Sequence, residues 1–286
     1  MKTHLDCIPC FARQALEAGR RISPDPACHE RILRDVLRWA AEIDMDQPPP
    51  VLGQRLHRRL REIVGLADPY REVKEAQNRL ASSVLAGLEA DLGTAADPLD
   101  RALRLAIAGN VIDLGVDGDV TEAAVREAVR RALEEPVAGD LEGFRKRVAG
   151  ALSILYLADN AGEIVFDRAL IERLPAGRVI VAVRGGPVIN DATVADARAA
   201  GLEGLAEIVD NGSDAPATIL GDCSPAFLRR YAEADLVLAK GQGNFESLGD
   251  ERREIFFLFK VKCPVIARHA GHPVGTHVLM RSQARP

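Results

Sequence analysis

Long apolar runs are missing from this chain of 286 residues. Nothing in it approaches the roughly 18 consecutive apolar residues of a membrane-crossing helix. The first residues, Met1-Lys-Thr-His-Leu-Asp-Cys7, lack the apolar core of a secretory signal. Paired cysteines are also missing: the five cysteines are an odd number, and with no export signal they predict reduced thiols in a cytoplasmic protein rather than a disulfide framework. Excess positive charge is absent. A net charge of -5 and a pI near 5.8 argue against general nucleic-acid or anionic-membrane binding. Lysine is scarce, with six among 37 basic residues, which gives weight to a lysine that stands beside glycines. There is no internal repeat of fixed period and no low-complexity tract.

Motif absences narrow the chemistry. No G-x-S-x-G elbow occurs and no Ser/His/Asp order suggests a triad, so covalent serine catalysis is disfavoured. The P-loop spacing and the Rossmann G-x-G-x-x-G are absent as well.

What is present is a soluble composition, 47% hydrophobic and 28% charged, with ample material for a core. Up to about residue 150 the apolar spacing is helical, as in Cys10–Arg21, Arg31–Ile43, Gln54–Val64, Arg71–Leu92, Ala106–Asp113 and Leu141–Leu152. This stretch reads as almost strand-free. Beyond it, short apolar runs alternate with helical patterns, the signature of βαβ units and a parallel sheet. The expected architecture is α/β: a helical N-terminal region over residues 1–150, packed on a three-layer α/β/α catalytic domain over residues 151–286.

Four of the apolar runs deliver polar, glycine-flanked residues at the same end. Leu152-Ser-Ile-Leu-Tyr-Leu-Ala158 leads into Asp159-Asn160-Ala-Gly-Glu163, and Arg178-Val-Ile-Val-Ala-Val-Arg184 into Gly185-Gly-Pro-Val-Ile-Asn190-Asp191. Glu207-Ile-Val209 leads into Asp210-Asn211-Gly212, and Ala234-Asp-Leu-Val-Leu-Ala239 into Lys240-Gly241-Gln-Gly243-Asn244. In a parallel sheet these ends share one rim, where open α/β sheets bind ligands. Asp159, Asn160 and Asp191 can supply oxygen ligands to a hard divalent cation. Each is equally open to reading as a helix N-cap. Asp210-Asn211-Gly212 serves either as a further ligand pair or as a turn. Lys240 and Gly241 suit a phosphate, through the ammonium and through backbone N–H groups that glycine leaves accessible. Gly109-Asn110 interrupts regular helix, so Asn110 and Asp113 are either a local helix end or substrate contacts. Cys7-Ile-Pro-Cys10 reads as buried thiols, as a redox pair, or as half of a zinc site completed by Cys263 and the His269/His272 pair.

Taken in order, Met1–Gln14, Asp68-Pro-Tyr-Arg-Glu-Val-Lys74, Ala108-Gly-Asn-Val-Ile-Asp113, Asp159–Glu163, Gly185–Asp191, Lys240-Gly-Gln-Gly-Asn-Phe-Glu246 and Lys262-Cys-Pro-Val-Ile266 resemble the damage-control phosphatase family. The similarity is closest to its stand-alone prokaryotic branch, which carries an N-terminal C-x-x-C. The resemblance implies a helical region packed on an α/β/α domain, and metal-dependent hydrolysis of small phosphorylated metabolites with Mg, Mn, Co or Ni. It implies metal ligation by Asp159, Asn160 and Asp191 and catalytic roles for Asp159 and Lys240. It further implies substrate or phosphate contacts from Asn110, Asp113, Glu163, Lys240 and Gly241. Whether water or Asp159 attacks stays open. Arg268-His-Ala-Gly-His272 departs from the family's pattern. The expected partner is a small phosphate ester, with no nucleic acid and no membrane. Two other classes compete: carboxyl methyl transfer from S-adenosylmethionine, also attributed to this family, and a non-catalytic phosphometabolite-binding module.

Overall fold

Alternate residues of each strand feed two separate cores, and this parity organises the molecule. The computed structural model describes residues 1–109 and 122–282. Helices come first: α1 (Cys7–Ile22), α2 (Pro26–Ala40), α3 (Pro49–Val64), α4 (Arg71–Ala86), α5 (Glu89–Thr94), α6 (Pro98–Gly109) and α7 (Glu122–Glu134). A short strand β1 (Val137–Gly139) and α8 (Leu141–Gly150) lead into β2 (Ile154–Leu157), α9 (Glu163–Ile171), β3 (Val179–Val183), α10 (Val194–Ala199) and β4 (Glu207–Asp210). The chain continues through α11 (Pro225–Glu233), β5 (Leu236–Lys240), α12 (Gly241–Leu248), β6 (Ile255–Lys260), α13 (Pro264–Ala270) and β7 (His277–Arg281).

Among the described residues the strands form one sheet in the order β1-β7-β6-β5-β2-β3-β4. All neighbours are parallel except β6 and β7. The alternating strand–helix pattern therefore gives the expected α/β sheet with helices on both faces. Ile154, Tyr156, Leu236, Leu238, Phe256 and Leu258 enter one core with residues of α4, α6, α8, α9 and α10. Leu155, Leu157, Val237, Ala239, Phe257 and Phe259 enter the other, under α11, α12 and α13. A third cluster, centred on Phe11, Ile32, Leu52 and Leu56, belongs to α1, α2 and α3.

Three features depart from the sequence reading. Strand β1 lies inside the stretch read as nearly strand-free, and three residues are too few for alternation to register. Strand β6 is a continuous apolar run, Ile-Phe-Phe-Leu-Phe, buried on both faces. Strand β7 runs antiparallel because the chain returns beside the carboxyl end of β6, where Val261 N donates to Thr276 O at 3.0 Å.

The connection β2→β3→β4 moves one way across the sheet, and β5 then pairs on the opposite side of β2. The β2/β5 junction is thus a topological switch point, and the carboxyl ends of these strands flank the crevice that such a point creates.

Two consequences are measurable. Leu103 of α6 is fully buried in the core that also holds the sheet, so Leu103→Ala is expected to lower stability by about 2–5 kcal/mol. Urea unfolding followed by helix and near-UV signals should stay a single transition, with helices and sheet lost together. His57 of α3 is 3% exposed, and its Nε2 has no hydrogen-bond partner among the described residues. Burial, and then Arg61, lower its pKa from 6.5 to about 3. Between those values only the unfolded chain takes up the proton, so stability falls as pH drops through that window. In His57→Phe the difference in unfolding free energy between pH 7 and pH 4.5 should shrink.

Candidate active site

Two loops, one after β2 and one after β3, are joined by backbone hydrogen bonds at the switch point. Ala161 N donates to Asn190 O and Ala192 N to Asp159 O, both at 2.8 Å, and Asn160 and Asp191 form an antiparallel bridge. This brings Asp159-Asn160 beside Asn190-Asp191, as strand-end placement predicts. None of them caps a helix. Gly162 holds the N-cap position of α9, and Thr193 that of α10 in a capping box with Asp196. The local-capping alternative therefore falls away for both pairs.

The side chains are buried and interlocked. Asn160 Nδ2 donates to Asp159 Oδ2 at 2.9 Å and to Glu163 Oε2 at 3.1 Å. With its nitrogen committed, the carbonyl oxygen is the end of this amide available as a ligand. Arg184, at the end of β3 and 1% exposed, donates from Nε to Asp191 Oδ2 at 2.6 Å and from Nη2 to Asp159 Oδ1 at 3.5 Å. Burial raises the Asp159 pKa well above the ordinary carboxylate range, and Glu163 and Asp191 add to the effect. Arg184 and Lys262 oppose it.

Gly241 opens α12 with φ +79 in the left-handed region. A Cβ there would stand 1.9 Å from Asp159 Oδ2. Only glycine admits both this turn and the carboxylate resting on it.

Lys240 does not present its ammonium to the rim. Along β5, Leu236 and Leu238 face the α6/α9 core, and Lys240 shares their parity. Its Nζ, fully buried, donates to Glu163 Oε1 and Asp167 Oδ1 at 2.5 Å each and to Ala106 O at 2.9 Å. Three donors meet three acceptors, leaving none for a phosphate. Burial opposes the charge, but Asp167 and Glu163 outweigh it and raise the Lys240 pKa. Burial also lifts Asp167 to about 7, against the pull of Lys240. Glu163, expected at the substrate, is likewise fully buried, and it links Lys240 to Asn160.

The turn alternative holds for Asp210-Asn211-Gly212. Asp210 is exposed and accepts from Gly212 N, while Asn211 Oδ1 accepts from Gly185 N and Ser213 N. Asn110 and Asp113 lie outside the described residues. Cys7 and Cys10 occupy the first turn of α1, and Cys263 precedes α13. Burial raises the pKa of Cys7 and of Cys10, with Cys263 and Glu246 contributing to both. His269 packs against Phe245, ring centroids 5.3 Å apart. Among the described residues no three His, Cys, Asp or Glu side chains converge closely enough to hold a metal, so the Cys/His set forms no such cluster.

Sequence reasoning overlooked Arg184, Asp167, Lys262 and Asn78. Asn78 of α4 accepts from Gly162 N at 2.7 Å and donates to Asp196 at 2.9 Å, tying the helical region to the loop after β2 and to the first turn of α10. Strand parity would have flagged Lys240 as buried and in need of acidic partners on α9. No local pattern marks Asn78.

The chain matches the model of the damage-control phosphatase ARMT1-like domain over residues 3–278. It is 33% identical to a protein of Pyrococcus horikoshii named a damage-control phosphatase, covering 99% of each. It is 34% identical to an Archaeoglobus fulgidus protein of the same name, over 97% of this chain and 98% of that one. A crystal structure of a DUF89 family protein from Pyrococcus horikoshii superposes with a TM-score of 0.89 at 33% identity, over 99% of this chain and all of the other.

Lys240→Ala separates a structural from a phosphate-binding lysine. Removing the ammonium strands two buried carboxylates, so a stability loss of about 3–5 kcal/mol is expected in denaturant unfolding. Unchanged stability in that variant would count against the buried arrangement.

Proposed function

The chain belongs to the damage-control phosphatase ARMT1-like family, and from that premise we propose that it hydrolyses phosphomonoesters of small metabolites with a divalent metal ion. The observation that carries this reading is the pairing of Asp159-Asn160 with Asn190-Asp191 at the switch point, with no helix to cap.

The residues fit a hard cation. Two carboxylates and an amide oxygen are the donor types that Mg²⁺ and Mn²⁺ take from protein, the remaining positions going to water and substrate phosphate. Fully buried Asn190 has both side-chain polar atoms unpartnered among the described residues, and so does Nη1 of buried Arg184. Such orphaned groups suit a polar ligand. Asp159, Asn160 and Asp191 would hold the ion, which supplies charge withdrawal from a phosphoryl oxygen.

The remaining work falls to the chain itself. Lys262, on the loop after β6, lies close enough to Asp159 and Glu246 for its charge to favour their ionised forms. On this reading it is the cation suited to a phosphate, the role that Lys240 leaves vacant. The amides opening α12 offer hydrogen bonds and a favourable dipole to an anion. Lys240, through Glu163, keeps Asn160 turned for ligation. Carboxyl methyl transfer finds less support, because the loop after β2 is an acid–amide turn bridged to a second acid–amide turn rather than a glycine-rich cradle.

The test is phosphate release from a panel of sugar and nucleotide phosphates with Mg²⁺, Mn²⁺, Co²⁺ and Ni²⁺. Activity should require metal and vanish with chelator. Asp159→Asn and Asp191→Asn should each lose on the order of 10²-fold or more. Full, chelator-sensitive activity in both would overturn the assignment. Tight, metal-independent binding of S-adenosylmethionine by calorimetry would favour methyl transfer instead.

A further inference from the structure

Arg184 grips its two carboxylates unequally. Nε is 2.6 Å from Asp191, while Nη2 is 3.5 Å from Asp159, at the outer limit of a hydrogen bond. The third nitrogen, Nη1, is buried and has no partner among the described residues. A guanidinium at 1% exposure loses hydration and is held in place by its acids. Asp159 and Asp191, in turn, are packed side by side by the Asn160–Asp191 bridge and by Gly241 against Asp159 Oδ2. Two acids fixed so closely need a cation between them, and arginine is always charged.

Resting on the metal-site reading above, we infer that Arg184 is the resident counter-ion of that site. It holds Asp159 and Asp191 together without metal and releases Asp159, the weakly held partner, when a divalent ion enters. The guanidinium stays anchored on Asp191 through Nε, and its remaining nitrogens turn to the phosphoryl oxygens of the substrate, which a forked cation binds well. A cation already in the site competes with metal, so its removal strengthens metal binding. A merely structural arginine predicts the reverse, since loss of its brace would loosen the ligands.

The experiment is calorimetric titration of Mn²⁺ into chelator-treated wild type and Arg184→Gln, with thermal melts of both. Wild type should bind Mn²⁺, and the variant should bind at least tenfold more tightly. Without metal the variant should melt several degrees lower, since two buried acids lose their cation, and saturating Mn²⁺ should close that gap. Equal or weaker Mn²⁺ binding by the variant, with wild-type binding intact, overturns the counter-ion role while leaving the metal site standing. Absence of Mn²⁺ binding by wild type overturns the metal site and this role together. If Arg184→Gln does not fold even with Mn²⁺, a crystal structure of Mn²⁺-loaded wild type decides. Nη2 should then be out of hydrogen-bond reach of Asp159 with Nε still on Asp191, and an unmoved fork beside a metal on Asp159 overturns the inference.

Discussion

The ammonium of Lys240 ties together three elements that are far apart in sequence, β5, α6 and α9. It leaves β5 on the side of the sheet that carries α6 and α9, and there it meets the Ala106 carbonyl, Glu163 and Asp167. Burying one cation between two carboxylates is costly unless every donor is used, and here every donor is used. Glu163 then passes the constraint upward, because its second oxygen accepts from Asn160, which in turn donates to Asp159. The rim inherits its geometry from a charge cluster that solvent does not reach. Lys240 thus fixes the side chains of the rim from below, which explains a lysine beside glycines without a phosphate on it.

The described residues of the helical region supply braces. Asn78 holds the turn at Gly162, and Lys74 stands between Asp68 at 2.9 Å and Asp196 at 3.6 Å. On the other side, Gln54, Arg58 and Arg61 of α3 converge on Asp214, in the loop after β4. Burial opposes ionisation of Asp214, but Arg58, Gln54 and Arg61 outweigh it and bring its pKa down to about 2. Both sets of ties clamp loops that follow strands, the segments an open α/β sheet leaves least constrained.

Much of this was legible in the residues. The apolar runs ending in Asp159-Asn160 and Asn190-Asp191 identified strands, direction and rim together, because a parallel sheet gathers every carboxyl end on one side. Lys240 was located correctly but aimed wrongly. Its position after Leu236 and Leu238 fixes its side of the sheet, and glycine neighbours say nothing about that. Arg184 was passed over as the end of an apolar run, when a cation between two strand-end acids is their natural partner. Asn78 and Asp196 could not be paired in advance, since their contact depends on how α4 packs against α9 and α10. Strand β1 escaped because pairing with β7 makes it a strand, and its own three residues carry no periodic signal.

That last pairing has a consequence for how the chain is assembled during synthesis. Among the described residues strand β1 has a single neighbour, β7, and β7 is made near the end of the described chain. Until β7 emerges, β1 has no partner and β6 keeps an open hydrogen-bonding edge. The phenylalanine-rich β6 is therefore exposed on the nascent chain as a template for wrong pairing. Strand β7 closes that edge, and a ribosome stalled shortly before β7 would hold a sticky intermediate.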